Sequence, residues 1–321
     1  MQGRNEILDW AEEGRIPPGD LRRALDVAGA LPDSAAWRQF LDRLLLFGGT
    51  LFVAVGVIFF LAFNWNDLGR MAKFALVEAL LVVALASVWR LGVERIAGKA
   101  ALLGAALFTG ALFALIGQTY QTGADTFELF AVWALAVLPW ALVARFPVLW
   151  LFWLLLVNLA ALLYLGTLRG PLWFFAGSER QLWLLFAIDT VALVVWEGLA
   201  LSGIEWLRER WSARILATAS GGFATALAAV DIMGRQGRAG AGIAAWLAWM
   251  AAAYFLYRHK AKDLFVLAGG VLSVVVVVTI FVGRYFFRAD AGAFLLVGLM
   301  VIGISAAGGW WLKSIAAEET K

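Results

Sequence analysis

Ten runs of mostly apolar residues, parted by short charged or proline-bearing breaks, constrain this chain more than any other feature of its sequence. They lie at about 44–63, 71–90, 99–117, 127–144, 147–166, 181–202, 213–231, 241–257, 263–283 and 291–312. A helix rising 1.5 Å per residue needs about 20 such residues to cross a ~30 Å hydrocarbon layer. Lipid offers no partner for backbone N–H and C=O groups, so runs of this length are predicted to be helices. The chain is 63% hydrophobic and 15% charged, where soluble domains carry about 25% charge, which excludes a water-soluble or disordered fold. The predicted fold class is all-α: a polytopic integral membrane protein of about ten transmembrane helices. The fourth and fifth runs are parted only by Arg145, Phe146 and Pro147. Proline drives the residue before it out of the helical region and suits the first turn of a helix, so Pro147 is expected to open a new one.

Lysine and arginine fix the expected orientation. With a cytoplasmic N-terminus, most of the 26 basic residues fall on the inner side, at 1–43, 90–99, Arg145, 208–214, 258–262 and the C-terminus. Inner loops carry this excess, so both termini are expected in the cytoplasm of a bacterial inner membrane. The polar first 43 residues do not resemble a cleavable leader. They are expected to form a small helical cytoplasmic head, with Gly14 ending a first helix, Pro17 and Pro18 opening a second, and Ser34 capping a third that runs into the first span. The head either packs as a cap, lies on the membrane surface, or receives a cytoplasmic protein partner. The expected organisation is a head at 1–43, a five-helix part at 44–166, an outer loop at 167–180, a second five-helix part at 181–312 and a cytoplasmic tail at 313–321. Nothing in the sequence fixes an oligomeric state.

Composition also excludes chemistry. There is no cysteine and one histidine, His259. Thiolate metal sites, iron–sulfur clusters, disulfides and multi-histidine sites are therefore not available. A net charge of +3 is too small to argue for nucleic acid. No phosphate loop, dinucleotide fingerprint, Gly-x-Ser-x-Gly or His-Glu-x-x-His occurs, so no cofactor and no catalytic set is expected. The 17 tryptophans, among them Trp150, Trp153, Trp173, Trp206 and Trp211 near span boundaries, read mostly as interfacial belts.

Four stretches carry a family resemblance: Trp10-Ala-Glu-Glu-Gly14-Arg-Ile16, the glycine-rich first span ending in Phe63-Asn64-Trp65-Asn66, Leu115-Ile-Gly-Gln-Thr-Tyr120 continuing to Gly123-Ala-Asp125, and Trp133-Ala-Leu followed by Leu138-Pro139. Over about residues 5–145 the chain resembles the bacterial predicted membrane proteins grouped as domain of unknown function 2157. That resemblance implies an integral inner-membrane protein and brings no reaction and no catalytic residue with it.

Polar residues in apolar surroundings are the remaining candidates. Glu78 sits inside the second span, and Asp189 and Glu197 in the sixth. Eight residues apart, the latter two share one broad helix face, about 12 Å apart along the axis. An ionised carboxylate at mid-bilayer costs about 2.5–3.5 kcal/mol on insertion scales. No basic residue stands at the middle of a span to pair with these three. They are expected to bind a ligand or carry a proton, or to be neutral acids bonded to a neighbouring helix such as the one carrying Asn158. Asn64, Asp67, Gln118, Tyr120, Gln121, Asp125 and Glu128 form a second set, in loops expected to face outward. They either line a small polar pocket or cap a turn, with Asp125 or Thr126 as the N-cap.

Three functions fit these residues. The first is a carrier or flippase for a small solute or lipid-linked substrate, which requires Glu78, Asp189 and Glu197 to meet in one hydrated cavity. The second is a non-catalytic scaffold or partner-binding subunit, in which the acids fasten helices. The third is an outer-face enzyme on a lipid-linked substrate, with Asp67, Asp125 and Glu128 as its acids.

Overall fold

A computed structural model describes residues 7–8, 10–11, 13–29, 34–167, 179–234, 240–286 and 291–319. Most of the expected outer loop, with Trp173, lies outside the described residues. All regular structure among the described residues is helical: α1 (Leu21–Val27), α2 (Ser34–Phe63), α3 (Arg70–Leu91), α4 (Ile96–Tyr120), α5 (Thr126–Ala144), α6 (Pro147–Thr167), α7 (Glu179–Leu201), α8 (Arg210–Met233), α9 (Ala241–Phe255), α10 (Leu264–Phe286) and α11 (Ala291–Glu319). A 3₁₀ turn at Glu205–Leu207 precedes α8, and a π-helical turn at Leu256–Lys260 follows α9.

Nine described helices are long and apolar enough to cross a membrane. The eighth expected span, at 241–257, is the exception: α9 has 15 residues of regular α-helix. Its π turn carries the rod on to Lys260. The hydrogen bonds at its two ends show how far it reaches. Near its start, the N–H groups of Gly242 and Ile243 donate to the Asp231 carboxylate at 2.7 and 3.1 Å, close to the C-terminal end of α8. At its far end, the Tyr257 hydroxyl reaches Glu197 at 3.0 Å, and Glu197 is held by Arg210, the first residue of α8. The α9 rod and its π turn therefore accompany α8 from one end to the other.

The helix boundaries follow local chemistry. Pro147 opens α6, as its position predicts, and Arg145 before it takes a left-handed conformation (φ 46°, ψ 46°) that closes α5. Ser34 begins a 30-residue helix, so the third head helix and the first span are one continuous element. Gly14 turns the chain with φ +74°, and the second head helix begins at Leu21, four residues later than the proline pair suggests.

Residues 1–119 and 120–319 form two compact units. In the first, Leu61, Val77 and Leu115 of α2, α3 and α4 make a small core. Lys73 is buried in the first turn of α3, its ammonium 3.6 Å from the centroid of Trp65. In the second unit α8 is the central helix, with α7, α9 and α10 against it. Small residues let these backbones approach. A Cβ on Gly242 would lie 2.5 Å from the Leu227 carbonyl oxygen, and one on Gly221 would lie 2.6 Å from the Trp249 ring. The main core joins Leu193 and Trp196 of α7, Leu216 and Ala217 of α8, Tyr257 of the π turn, Val266 and Leu267 of α10, and Ile315 of α11.

Candidate functional site

Along α7 the buried residues Gln181, Leu185, Asp189, Leu193 and Glu197 recur every fourth position. One stripe thus faces the interior, and it carries both carboxylates singled out in the sequence. They meet different partners.

Glu197 is 2% exposed and fully engaged. The Arg210 guanidinium grips it with two parallel bonds, Nη1 to Oε2 at 3.0 Å and Nη2 to Oε1 at 3.1 Å. The Tyr257 hydroxyl adds a third, to Oε1 at 3.0 Å. Arg210 then turns its Nε to Asp263 Oδ2 at 3.1 Å, and Arg214, one turn along α8, donates its Nε to the same carboxylate at 3.0 Å. Asp263 also caps α10, its Oδ1 accepting from the Phe265 N–H at 3.0 Å. Planar guanidinium groups suit such bidentate and bridging geometry, which a lysine does not reproduce. Two carboxylates and two guanidinium groups make the cluster neutral overall, and it ties α7, α8, the π turn and α10 together at one end of this unit.

The π turn positions the tyrosine. Its widened ring is closed by the Ala261 N–H on the Leu256 carbonyl at 2.8 Å, and the Asp263 N–H reaches back to the Tyr257 carbonyl at 3.1 Å. Such single-turn π insertions re-aim side chains and are common at functional sites. Placed there, the buried phenol serves Glu197 as a hydrogen-bond donor.

Asp189 is 3% exposed and meets no cation. Its Oδ1 accepts from the Asn158 amide of α6 at 3.3 Å, the helix the sequence pointed to. Its Oδ2 and the Asn158 carbonyl oxygen are both buried without a partner. Two hydroxyl clusters lie nearby along α8. Thr190 and Ser220 are 2.7 Å apart, with the Trp249 N–H donating to Ser220; Thr225 and Ser273 are 2.6 Å apart, with the Trp246 N–H donating to Ser273. These bonds fasten α7, α9 and α10 to α8, and α9 to α10.

The other candidates are exposed. Glu78 lies on the exposed face of α3, in the first unit. Asp67, Gln118, Tyr120, Gln121, Asp125 and Glu128 are exposed; Asn64 is half-buried and donates back to the Phe60 carbonyl of its own helix at 2.9 Å. Asp125 takes the N-cap position of α5 without a side-chain cap bond, after a turn in which Gln121 and Gly123 have positive φ. His259 stands beside the Tyr254 and Phe255 rings. No group of three or more His, Cys, Asp or Glu suited to a metal ion occurs among the described residues.

Arg210, Arg214, Tyr257 and Asp263 were not legible as a site. The basic residues of 208–214 and 258–262 read as topology signals. The usable cue was that Glu197 lies only four residues from the end of its helix, within reach of those loops, and that Asp263 stands just ahead of an apolar run, where a helix cap belongs.

Residues 8–150 match a family model described as "Predicted membrane protein (DUF2157)", in line with the sequence resemblance over 5–145. No curated protein and no solved structure matches the chain.

Proposed function

For a chain whose residues 8–150 match this family of predicted membrane proteins, we propose a membrane component without a transport cycle of its own. Its buried acids fasten helices, and its cytoplasmic segment 1–43 receives a protein partner. The engagement of Glu197 carries this reading. A carrier's acid must be free to take cargo and then water, whereas both oxygens of Glu197 are held by Arg210 and one also by Tyr257. Exposed apolar side chains at Val27, Trp37 and Phe40 support a docking role for the head region. The basic inner loops support an inner-membrane protein with both termini in the cytoplasm.

One observation favours the carrier reading, at Asp189 alone. A proton on Asp189 would let its Oδ2 donate to the unpartnered Asn158 carbonyl and close an acid–amide pair between α6 and α7. A proton-carrying role would use that exchange.

The absence of cysteine makes the test clean. Single cysteines at positions 189 and 193, with controls at 121 and 259, are exposed to a membrane-impermeant thiol reagent in intact cells and inverted vesicles. The proposal expects 121 and 259 to react from opposite sides and 189 and 193 to stay unreacted. Reaction at 189 would overturn it in favour of a hydrated carrier path. Deleting residues 1–40 is expected to abolish capture of a cytoplasmic partner.

A further inference from the structure

The second unit carries an apolar groove of about 560 Å³ between α6 and α7, closed at one end by the 3₁₀ turn. That volume falls within the ~300–1,000 Å³ of ordinary ligand sites. Trp150, Trp153, Trp196, Trp206 and Leu207 form its aromatic end, and Val157 and Ile188 line its other end. On α7 the lining runs from Ala187 to Leu199, about 18 Å of helix. This length matches one leaflet, roughly half of a ~30 Å hydrocarbon core, and is too short for a crossing helix, which needs the whole thickness.

Two donors at the aromatic end lack acceptors. Trp196 is 8% exposed, and its indole N–H and that of Trp150 are buried without a hydrogen-bond partner. Buried donors are rarely left so, and a pair of them at one site points to an acceptor from outside the chain. The same end adjoins Arg208, which is exposed directly after Leu207. An apolar slot one leaflet long, with buried N–H donors at one end and an exposed arginine next in the chain to its lining residue Leu207, fits one class of molecule. We infer that this groove seats one acyl chain of an anionic phospholipid, with its ester and phosphate oxygens at Trp150, Trp196 and Arg208. The inference rests on the membrane-spanning reading and is independent of whether the protein transports.

The test uses the full chain in nanodiscs containing phosphatidylglycerol with a photoactivatable diazirine in one acyl chain, followed by peptide mapping. Crosslinks are expected to concentrate on α6 and α7, in excess of those on α11, whose exposed Leu295, Leu296 and Leu299 report ordinary lipid contact. Val195→Trp places a bulky ring on the exposed rim without entering the packed core, and is expected to bring labelling of α6 and α7 down to the α11 level. Val191→Trp, one turn away on the same rim, repeats the test if the first variant misfolds. Even labelling of all three helices would overturn the proposal. So would an excess that survives both substitutions, or a protein–protein crosslink through a cysteine at 195, which would put a second copy in the groove.

Discussion

Asp263 is the residue on which most bonds converge: two guanidinium groups and one backbone N–H meet on a carboxylate that is 1% exposed. Removing one member of a buried ion pair leaves its partner uncompensated, typically at about 3–5 kcal/mol. Asp263→Ala is therefore expected to cost about 3–5 kcal/mol in denaturant unfolding in detergent, and Asp263→Asn less, because its amide oxygen still caps α10. Tyr257→Phe is milder, about 1.5 kcal/mol, since Arg210 still holds Glu197 when the phenol is gone. Little of this cluster was visible beforehand. Glu197 stood out because a carboxylate in an apolar run needs a reason. Its partners stand at helix ends and loops, where arginines are ordinary, and pairing across 13 sequence positions from Glu197 to Arg210 and a further 53 to Asp263 is a tertiary fact. The Asn158–Asp189 contact was legible, because one amide and one acid were the polar groups available inside adjoining spans.

At the scale of elements, apolar runs translated into helices almost directly, and Pro147 and Ser34 marked real starts. The α9 rod was the hard case. Its composition is apolar, but its regular α-helix stops after 15 residues, and the π turn that extends it has no periodic signature. What holds α9 in place is contact between backbones. A methyl group on Gly242 would enter the Leu227 carbonyl at 2.5 Å and lie 3.0 Å from the Asp231 carboxylate that receives the Gly242 N–H. Gly242→Ala must push α9 away from α8 and break that cap. The expected cost is about 1–3 kcal/mol, as for other overpacked sites, with increased proteolysis between α8 and α9. Gly222→Ala meets open space on the same helix as Gly221 and is expected to be neutral or slightly stabilising in the same assay.

For the molecule as a whole, the two units each hold a basic side chain in an unusual setting: Lys73 over Trp65 in the first, and Arg210 between Glu197 and Asp263 in the second. These settings share no partner. The losses from Lys73→Ala and Asp263→Ala are therefore expected to add within about 0.5 kcal/mol in the double variant; a larger coupling energy would mean that the two settings are energetically linked. The arginine–carboxylate cluster has one more consequence. A single charge moved across an energised membrane exchanges roughly 2.3 kcal/mol with each 100 mV of potential. Glu197, Asp263, Arg210 and Arg214 sum to zero charge, so a rigid displacement of the cluster exchanges almost nothing. Membrane voltage therefore gives no drive to move the cluster as a unit along with its helix ends.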